Sequence, residues 1–404
     1  MPLRLASRMR AVTPSATKAM TAKAQALRMA GHDVITLSQG EPDFDTPANV
    51  REAAIAAIRD GHTRYTAVAG VPALREAIAA KLERDNGLVY DPDAIVVGCG
   101  AKQVIFNTLL ATLDPGDEVV IPTPCWVSYP EMARLAGGTP VLVDCQADAR
   151  FKLSPAQLDA AITPRTRWLI LNSPTNPTGA VYSEKELSAL GDVLMRQDHV
   201  WVLTDDIYEK LVYAPARFAS LAALPTLRDR VLLVNGVSKA SAMTGWRVGY
   251  GAGPQDLIKA ITTVQGQTSS HTSSISQYAA IEALAGDQSY LAKFVAAFRD
   301  RRDLVCARLN RVPGLSCRVP DGAFYVFVSC QALMGARVYD GRTLRSDSDF
   351  ALYLLEKFNV AVVPGQSFLA DGFFRVSYAS SLDDLERACG RITAACEALG
   401  QEVA

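Results

Sequence analysis

A single lysine, Lys239, lies among small residues in the segment VNGVSKASAMTGWRVGY, residues 234–250, and Arg247 follows it by eight positions. An amine attacks carbonyl compounds and forms a Schiff base when burial or a neighbouring cation lowers its pKa. The small neighbours leave room for a flat molecule beside the amine. A solvated loop lysine is the more common case in proteins, so a catalytic interpretation requires that other segments supply a cofactor site.

Two segments that follow apolar runs carry groups suited to a heteroaromatic ring. In SPTNPTGAVYSEKEL, two X-Pro turns leave the Asn176 amide available, and VLTDDIYEKLVY places Asp205 at a strand end with Tyr208 three residues later. A carboxylate can keep a ring nitrogen protonated, and a phenol can hydrogen-bond a ring oxygen. Each residue also has a purely structural alternative. Asn176 could only stabilise its turn, and Asp205 could only cap a helix.

A strand, a glycine turn and a helix follow one another in VVGCGAKQVIFNTLLATL. The amides of Gly100, Ala101 and Lys102 therefore lie at a helix N-terminus, which favours binding of a phosphate. A dinucleotide fingerprint is the competing interpretation, but Gln103 occupies the position of its third glycine.

An aromatic and a cationic residue complete the candidate set. Trp126, in PTPCWVSYPEM, follows a strand and could stack on a planar ring, although packing in the core is the alternative. Arg375 interrupts the apolar strand in FFRVSYASS, and a guanidinium binds a carboxylate bidentately. An arginine on an edge strand that faces water is the other interpretation.

The composition narrows the class of protein. The chain has 404 residues, 49% of them hydrophobic, and a net charge of −1, so we expect two lobes and no surface for nucleic acid or anionic membranes. The eight cysteines are widely spaced and form no CxxC pair, which predicts reduced core thiols and no metal site. No apolar signal core and no membrane-spanning run is visible, which predicts a cytoplasmic protein.

The elements that must position these residues alternate along the chain. The pattern predicts helices over residues 48–59, 72–86 and 184–196, a helix from Ala101, and strands at AIVVGCG, EVVIP, TPVLV, RWLILN, VWVLTDD and RVLLVNG. This alternation predicts an α/β fold with a mostly parallel sheet covered by helices, in which ligands collect at the carboxyl ends of the strands. A helix over 287–311, four short strands and a closing helix over 382–399 predict a smaller α+β lobe.

Nine segments together resemble the class I aminotransferases, which are pyridoxal-phosphate enzymes of fold type I, and within them the bacterial aspartate aminotransferase branch. They are SQGEPDFDTP, YTAVAGVPALREAIA, GCGAKQ, PCWVSYPEM, NSPTNPTGAVY, TDDIYE, SKASAMTGWRVGY, VVPGQSF and FRVSYA, in family order from about residue 35 to 380. The resemblance implies a sheet of the seven-stranded type. It also implies an N-terminal arm (1–47) that is part of the small domain, a large cofactor-binding domain (48–286) and a small domain (287–404).

The resemblance implies roles for the residues around the cofactor ring. Lys239 would form a Schiff base with pyridoxal 5′-phosphate and then move a proton at the substrate α-carbon. Asp205 would pair with the ring nitrogen, Asn176 and Tyr208 would hydrogen-bond the ring oxygen, and Trp126 would stack on the ring face.

The resemblance also implies how the phosphate and the carboxylates bind. Arg247 and the amides of Gly100, Ala101 and Lys102 would bind the phosphate, which Tyr65 of a neighbouring subunit would also reach, so a homodimer is expected. Arg375 and Gly40 would hold the substrate α-carboxylate, and Lys102 and Ser15 would hold a distal carboxylate. Many relatives have a serine three residues before the lysine, where this chain has Gly236.

The implied reaction is a ping-pong transfer of the amino group of an L-amino acid, foremost aspartate, to 2-oxoglutarate. Aminotransferases for aromatic, neutral or basic amino acids or for prephenate are alternatives from the same branch. A lyase that uses the same cofactor would share the residues named above.

Overall fold

The computed structural model describes residues 3–13, 16–338 and 341–400. The strands are β1 (Ile35–Thr36), β2 (Ile95–Cys99), β3 (Glu118–Thr123), β4 (Thr139–Asp144), β5 (Thr166–Asn172), β6 (Trp201–Asp205), β7 (Val231–Gly236), β8 (Val248–Ala252), β9 (Ser316–Cys317), β10 (Tyr325–Ser329), β11 (Val360–Ala361), β12 (Val363–Pro364) and β13 (Phe373–Ser377). The helices are α1 (Ala16–Met29), α2 (Ala48–Arg59), α3 (Pro72–Asn86), α4 (Ala101–Thr112), α5 (Ser128–Leu135), α6 (Pro155–Ala161), α7 (Glu184–Leu194), α8 (Gln255–Thr268), α9 (Ser274–Ala285), α10 (Tyr290–Leu309), α11 (Asp347–Phe358) and α12 (Leu382–Gly400).

A seven-stranded sheet in the order β2-β8-β7-β6-β5-β3-β4 forms the centre of the larger part of the molecule. Only β8 runs antiparallel to its neighbours. Successive residues of one strand belong to different cores: Val97 packs with α2, α3 and α9, whereas Val96 packs with α4, α5 and α8. Because side chains alternate along a strand, helices cover both faces. The predicted α/β fold with a mostly parallel sheet is confirmed.

A four-stranded antiparallel sheet in the order β12-β13-β10-β9 lies in the second part of the molecule. Its core includes buried residues of α10, α11 and α12, such as Phe298, Phe350 and Ile392. The strand β1 of the N-terminal arm pairs with β11 through Ile35 and Val360. The arm therefore joins the C-terminal elements, although the exact domain boundaries stay a prediction.

Some elements differ from the sequence-based expectation. The glycine-rich strand β8 and the helices α5, α6, α8, α9 and α11 were missed. VGYGA has weak strand propensity, α8 is rich in Thr and Gln, and α5 and α6 are short. The helix expected over 287–311 spans Tyr290–Leu309. Six of the eight cysteines are buried and all eight are unpaired. Across the described ranges, every helix is too short or too polar to cross a lipid bilayer.

Candidate active site

A cavity of about 330 Å³ opens at the carboxyl ends of the parallel strands, next to the smaller sheet. Ten of the residues predicted to form the site line it: Gly40, Ala101, Lys102, Trp126, Asn176, Asp205, Tyr208, Lys239, Arg247 and Arg375. The large sheet brings eight of them together because β2, β3, β5, β6 and β7 each end at this edge and β8 begins there. Gly40 comes from the N-terminal arm and Arg375 from the smaller sheet.

The amine of Lys239 points into this cavity from the loop after β7. Its Nζ donates a hydrogen bond to the carbonyl oxygen of Gly40 at 2.7 Å. Burial lowers the pKa of Lys239 to about 8, Glu41 opposes the shift, and the Arg247 and Arg375 charges add to it. Because an ordinary lysine titrates near 10.4, this amine loses its proton much more readily and can act as a nucleophile.

The carboxylate of Asp205 is fixed at the end of β6 by two donors. Its Oδ2 accepts a hydrogen bond from the Tyr129 hydroxyl at 2.5 Å, and its Oδ1 accepts one from the Ile207 amide at 3.3 Å. Burial raises the pKa of Asp205 to about 6, while these two bonds and the Lys239 charge oppose the rise. The group is therefore ionised at neutral pH and can pair with a protonated ring nitrogen.

Two hydroxyls meet at the wall that the smaller sheet contributes. The Tyr208 and Tyr325 hydroxyl oxygens lie 2.7 Å apart, and both side chains are buried. Tyr208 comes from the turn after β6, and Tyr325 is the first residue of β10. Burial raises the pKa of both phenols, so both stay protonated and able to donate.

The guanidinium of Arg375 is a buried cation in the cavity wall, 3% exposed. Its Nη1 donates to the Asn176 Oδ1 at 2.9 Å, its Nη2 donates to the Ser38 carbonyl at 2.7 Å, and its Nε has no partner among the described residues. These acceptors are neutral, and a buried charge is costly without an opposite charge. The position therefore suits a carboxylate brought by a ligand. The Asn176 NH2 group is left to face the cavity.

The N-terminus of α4 and Arg247 form a cradle for an anion. Gly100, with a φ of 77°, is the N-cap of α4, and a Cβ there would collide with the Arg247 guanidinium. Arg247 is held by bonds from its Nη1 to Thr244 O at 2.9 Å and from its Nη2 to Cys99 O at 3.3 Å. The Gly100 amide already donates to Gly98 O at 2.7 Å. The amides left for an anion are those of Ala101 and the next residue.

The model of the family described as aminotransferase class I and II matches residues 32–392. The chain belongs to this family. An aspartate/prephenate aminotransferase from Cereibacter sphaeroides is 53% identical over 389 residues, which cover 96% of this chain and 97% of the relative. The aspartate aminotransferase from Rhizobium meliloti has a crystal structure with a TM-score of 0.95 and 50% identity, covering 98% of this chain and 99% of that one. An aspartate aminotransferase from Thermus thermophilus, solved with maleate, has a TM-score of 0.91 and 42% identity, covering 98% and 100%.

This member of the family is therefore an aminotransferase that uses pyridoxal 5′-phosphate and acts on small-molecule substrates. The residues of the cavity fit this cofactor on their own chemistry. Lys239 offers an amine for an aldehyde, Asp205 offers a carboxylate for a ring nitrogen, and Arg247 with the α4 amides offers an anion cradle. The predicted cofactor is confirmed.

Tyr129 and Tyr325 are residues of the aminotransferase site that the sequence analysis missed. Tyr129 packs edge-on against Trp126, with ring centroids 5.3 Å apart and an interplanar angle of 84°. Tyr129 lies in the first turn of the short helix α5, and its position three residues after Trp126 was the available signal. Tyr325 lies in an apolar strand, where nothing distinguished it from a core residue.

The aminotransferase has a steric reason for Gly236 at the position where many relatives have serine. A Cβ there would lie 2.8 Å from the Val248 carbonyl oxygen and 2.9 Å from the Gly249 Cα. A side chain would therefore push β7 and β8 apart. Ser238, next to Lys239, is among the residues that line the cavity.

The remaining predicted residues of the aminotransferase occupy other places. The Lys102 ammonium lies 4.6 Å from the centroid of the Trp126 ring, at the exposed side of the cavity. Tyr65 is 92% exposed, lies outside the cavity and packs edge-on against His271. Ser15 lies outside the described residues. Their assigned roles stay predictions.

Proposed function

We propose that this enzyme transfers the amino group of aspartate to 2-oxoglutarate by a ping-pong mechanism. The observation that carries the proposal is the buried cation Arg375, whose described hydrogen bonds go only to neutral oxygens, in the same cavity as Lys239. The exposed residue Lys102 lines the same cavity, with its ammonium over the Trp126 ring. Lys239 and Arg247 line the cavity as well and are assigned to the cofactor, so Lys102 and Arg375 are the two cations left for a substrate with two carboxylates.

Two of the relatives support a dicarboxylate substrate. The Thermus thermophilus enzyme is an aspartate aminotransferase solved with maleate, a four-carbon dicarboxylate like aspartate. The relative from Cereibacter sphaeroides is an aspartate/prephenate aminotransferase. Prephenate also carries two carboxylates, so it is the second candidate, as an amino acceptor in the same cavity.

The proposed roles divide the chemistry among the cavity residues. Bound pyridoxal phosphate withdraws electrons from the substrate α-carbon and so makes its proton removable. Lys239 binds the cofactor and then moves that proton, for which its pKa of about 8 leaves a usable neutral fraction near pH 7. Arg375 binds the α-carboxylate and fixes the α-carbon beside the Lys239 amine. Asn176 and Tyr208 donate to the ring oxygen, and Trp126 covers the ring face.

We also propose that the enzyme is a homodimer in which Tyr65 completes the partner's phosphate site. An exposed fraction of 92% is unusual for a tyrosine, and a partner subunit would give its hydroxyl an acceptor. The proposed division into an arm with a small domain and a large domain agrees with the pairing of β1 and β11.

Spectroscopy and one variant test the substrate assignment. Aspartate alone should convert the yellow cofactor band to the amine form, and 2-oxoglutarate should restore it. Lys102→Gln should lower kcat/KM for aspartate by about 10 to 100-fold and that for phenylalanine far less, because only aspartate brings a second carboxylate. Equal losses for both substrates would refute the role of Lys102, and a band indifferent to aspartate would refute the aspartate assignment.

A further inference from the structure

The hydroxyl of Tyr325 lies next to two residues that are proposed to contact the cofactor or the substrate. It is 2.7 Å from the Tyr208 hydroxyl. It also lies so close to Gly40 that a Cβ on that residue would be 2.6 Å away. The Gly40 carbonyl accepts the hydrogen bond from Lys239. One phenol thus touches both the residue beside the ring oxygen and the loop that holds the catalytic amine.

The ring of Tyr325 also holds the carboxylate-binding arginine. The Cζ atom of Arg375 lies 4.4 Å from the centroid of the Tyr325 ring and 4.9 Å from that of Phe368. Tyr325 and Arg375 are diagonal neighbours on one face of the β10–β13 pair, because Phe327 is the residue directly opposite Arg375. The guanidinium is therefore kept between two aromatic faces by cation–π contacts.

The direction of the hydrogen bond between the two phenols follows from proton counting. Each hydroxyl has one proton to donate. When Tyr208 uses its proton for the cofactor ring oxygen, its oxygen can only accept, so Tyr325 must be the donor. A hydroxyl that accepts a hydrogen bond is polarised and becomes a better donor in turn. Tyr325 therefore strengthens the bond from Tyr208 to the ring oxygen.

We propose that Tyr325 is a positioning residue that couples the carboxylate site at Arg375 to the ring-oxygen site at Tyr208. Its ring orients the guanidinium, and its hydroxyl orients and polarises the Tyr208 hydroxyl. The proposal rests on the proposed roles of Tyr208 and Arg375. It adds a residue of the smaller sheet to the control of the proton affinity of the bound cofactor.

The test measures the pKa at which the visible absorbance of the bound cofactor changes in the holoenzyme. This quantity is called the absorbance pKa below. In Tyr325→Phe the ring stays beside Arg375 while the hydroxyl is lost. A weaker donor at Tyr208 stabilises the deprotonated cofactor less, so the absorbance pKa should rise by about half a unit. We expect kcat for aspartate to fall several-fold while KM changes less than about twofold, because the carboxylate contact is kept.

Tyr378→Phe is the matched control. Tyr378 is also fully buried, and its hydroxyl oxygen lies 3.0 Å from the Ala323 carbonyl oxygen and 3.3 Å from the Tyr213 hydroxyl oxygen, outside the cavity. It should lower Tm to a similar extent as Tyr325→Phe but leave the absorbance pKa unchanged. A merely structural role for Tyr325 would make the two variants alike in both measurements.

A second variant keeps the test independent of one substitution. Gly40→Ala should displace the Tyr325 hydroxyl and therefore also raise the absorbance pKa. In the double variant, Tyr325→Phe removes the oxygen that the new Cβ would meet, so this collision should be relieved. If Tyr208→Phe raises the pKa but Tyr325→Phe and Gly40→Ala do not, the coupling is refuted while the proposed function stands. If Tyr208→Phe has no effect either, the assignment of Tyr208 to the ring oxygen fails, and the coupling fails with it.

Discussion

The carboxylate of Asp205 shows how single residues set the chemistry of this site. Burial alone favours the neutral acid, whereas the ring nitrogen of the cofactor requires the ionised form. The hydroxyl of Tyr129 and the amide of Ile207 offset part of the burial and hold the pKa at about 6. At this scale the reactive state is decided by hydrogen-bond donors as much as by the acid itself.

Removal of the Tyr129 hydroxyl should shift the pH dependence of cofactor binding. Tyr129→Phe deletes a donor to the ionised carboxylate, so the Asp205 pKa rises above about 6 and less of the group is ionised near neutral pH. We expect the acidic limb of the pH profile of pyridoxal phosphate binding to the cofactor-free protein to move up by about one unit, because the ring nitrogen requires the ionised carboxylate. Tyr182→Phe, which removes another buried hydroxyl outside the cavity, should leave the limb in place. An unshifted limb in Tyr129→Phe would contradict the role of this donor.

The pKa of Lys239 should respond to the acid in the loop beside it. The Glu41 carboxylate raises this pKa against the effect of burial, so Glu41→Gln should move it below about 8 and leave more neutral amine at pH 7. Acetylation of Lys239 in the cofactor-free protein, measured by mass spectrometry across pH, checks the shift. Asp45→Asn, in the same loop, serves as the control and should titrate like the wild type. A midpoint that stays the same or rises in Glu41→Gln would contradict the effect of the Glu41 carboxylate on Lys239.

At the scale of elements, two acidic residues, Asp206 and Glu209, fix the turn that follows β6. Asp206 accepts hydrogen bonds from Ser220 at 2.6 Å and from Thr204 at 2.7 Å, and burial raises its pKa to about 7. Glu209 forms a buried ion pair with Lys81 of α3 and accepts a hydrogen bond from Asn86 at 2.8 Å. These anchors fix the turn that carries the ring-binding carboxylate and phenol.

The glycine at the start of α4 should be needed for cofactor binding as well as for the backbone. Gly100→Ala places a Cβ against the Arg247 guanidinium at a φ of 77°. We expect the cofactor dissociation constant to rise by about tenfold or more, a loss of about 1.4 kcal/mol. Gly116→Ala imposes similar backbone strain at a φ of 102° but meets no atom within 4 Å, so it should lower Tm and leave cofactor affinity unchanged. Equal affinity losses in both variants would contradict the cradle.

At the scale of the whole molecule, the site lies where three parts of the chain meet. Arg375 belongs to the smaller sheet, yet it donates to Asn176 of the large part and to Ser38 of the N-terminal arm. The arm is held in place by an ion pair between Asp43 and Arg301 of α10, with 2.7 Å between Oδ1 and Nη1. Carboxylate binding at Arg375 therefore acts on all three parts at once, which suits closure over the substrate.

Shared active sites should be visible in mixed dimers. The Lys239→Ala variant should be inactive. The Tyr65→Phe variant should bind cofactor weakly, because the cofactor phosphate in each partner subunit loses a hydrogen-bond donor. A heterodimer of the two has one site with both Lys239 and the partner's tyrosine. After subunit exchange at equal amounts, activity at low cofactor concentration should recover to about a quarter of the wild type. No recovery, with heterodimers proved by mass spectrometry, would refute a shared site.

The sequence by itself determined the alternation of strands and helices and the residues at the strand ends. Hydrophobic periodicity is a local property, so the strand that ends at Asp205 and the helix that begins at Ala101 could be predicted from neighbouring residues. The aspartate, the lysine and the phosphate turn could be placed in one cavity because parallel strands end at one edge.

Only the tertiary structure decided which side chains tune that chemistry. Tyr129 lies 76 residues from Asp205 and Tyr325 lies 117 residues from Tyr208 along the chain. The clash that explains Gly236 comes from the adjacent strand β8. Such contacts depend on packing between elements, and no local pattern encodes them. Burial, which moves the pKa of Lys239 and of Asp205 towards neutrality, is likewise a property of the folded molecule.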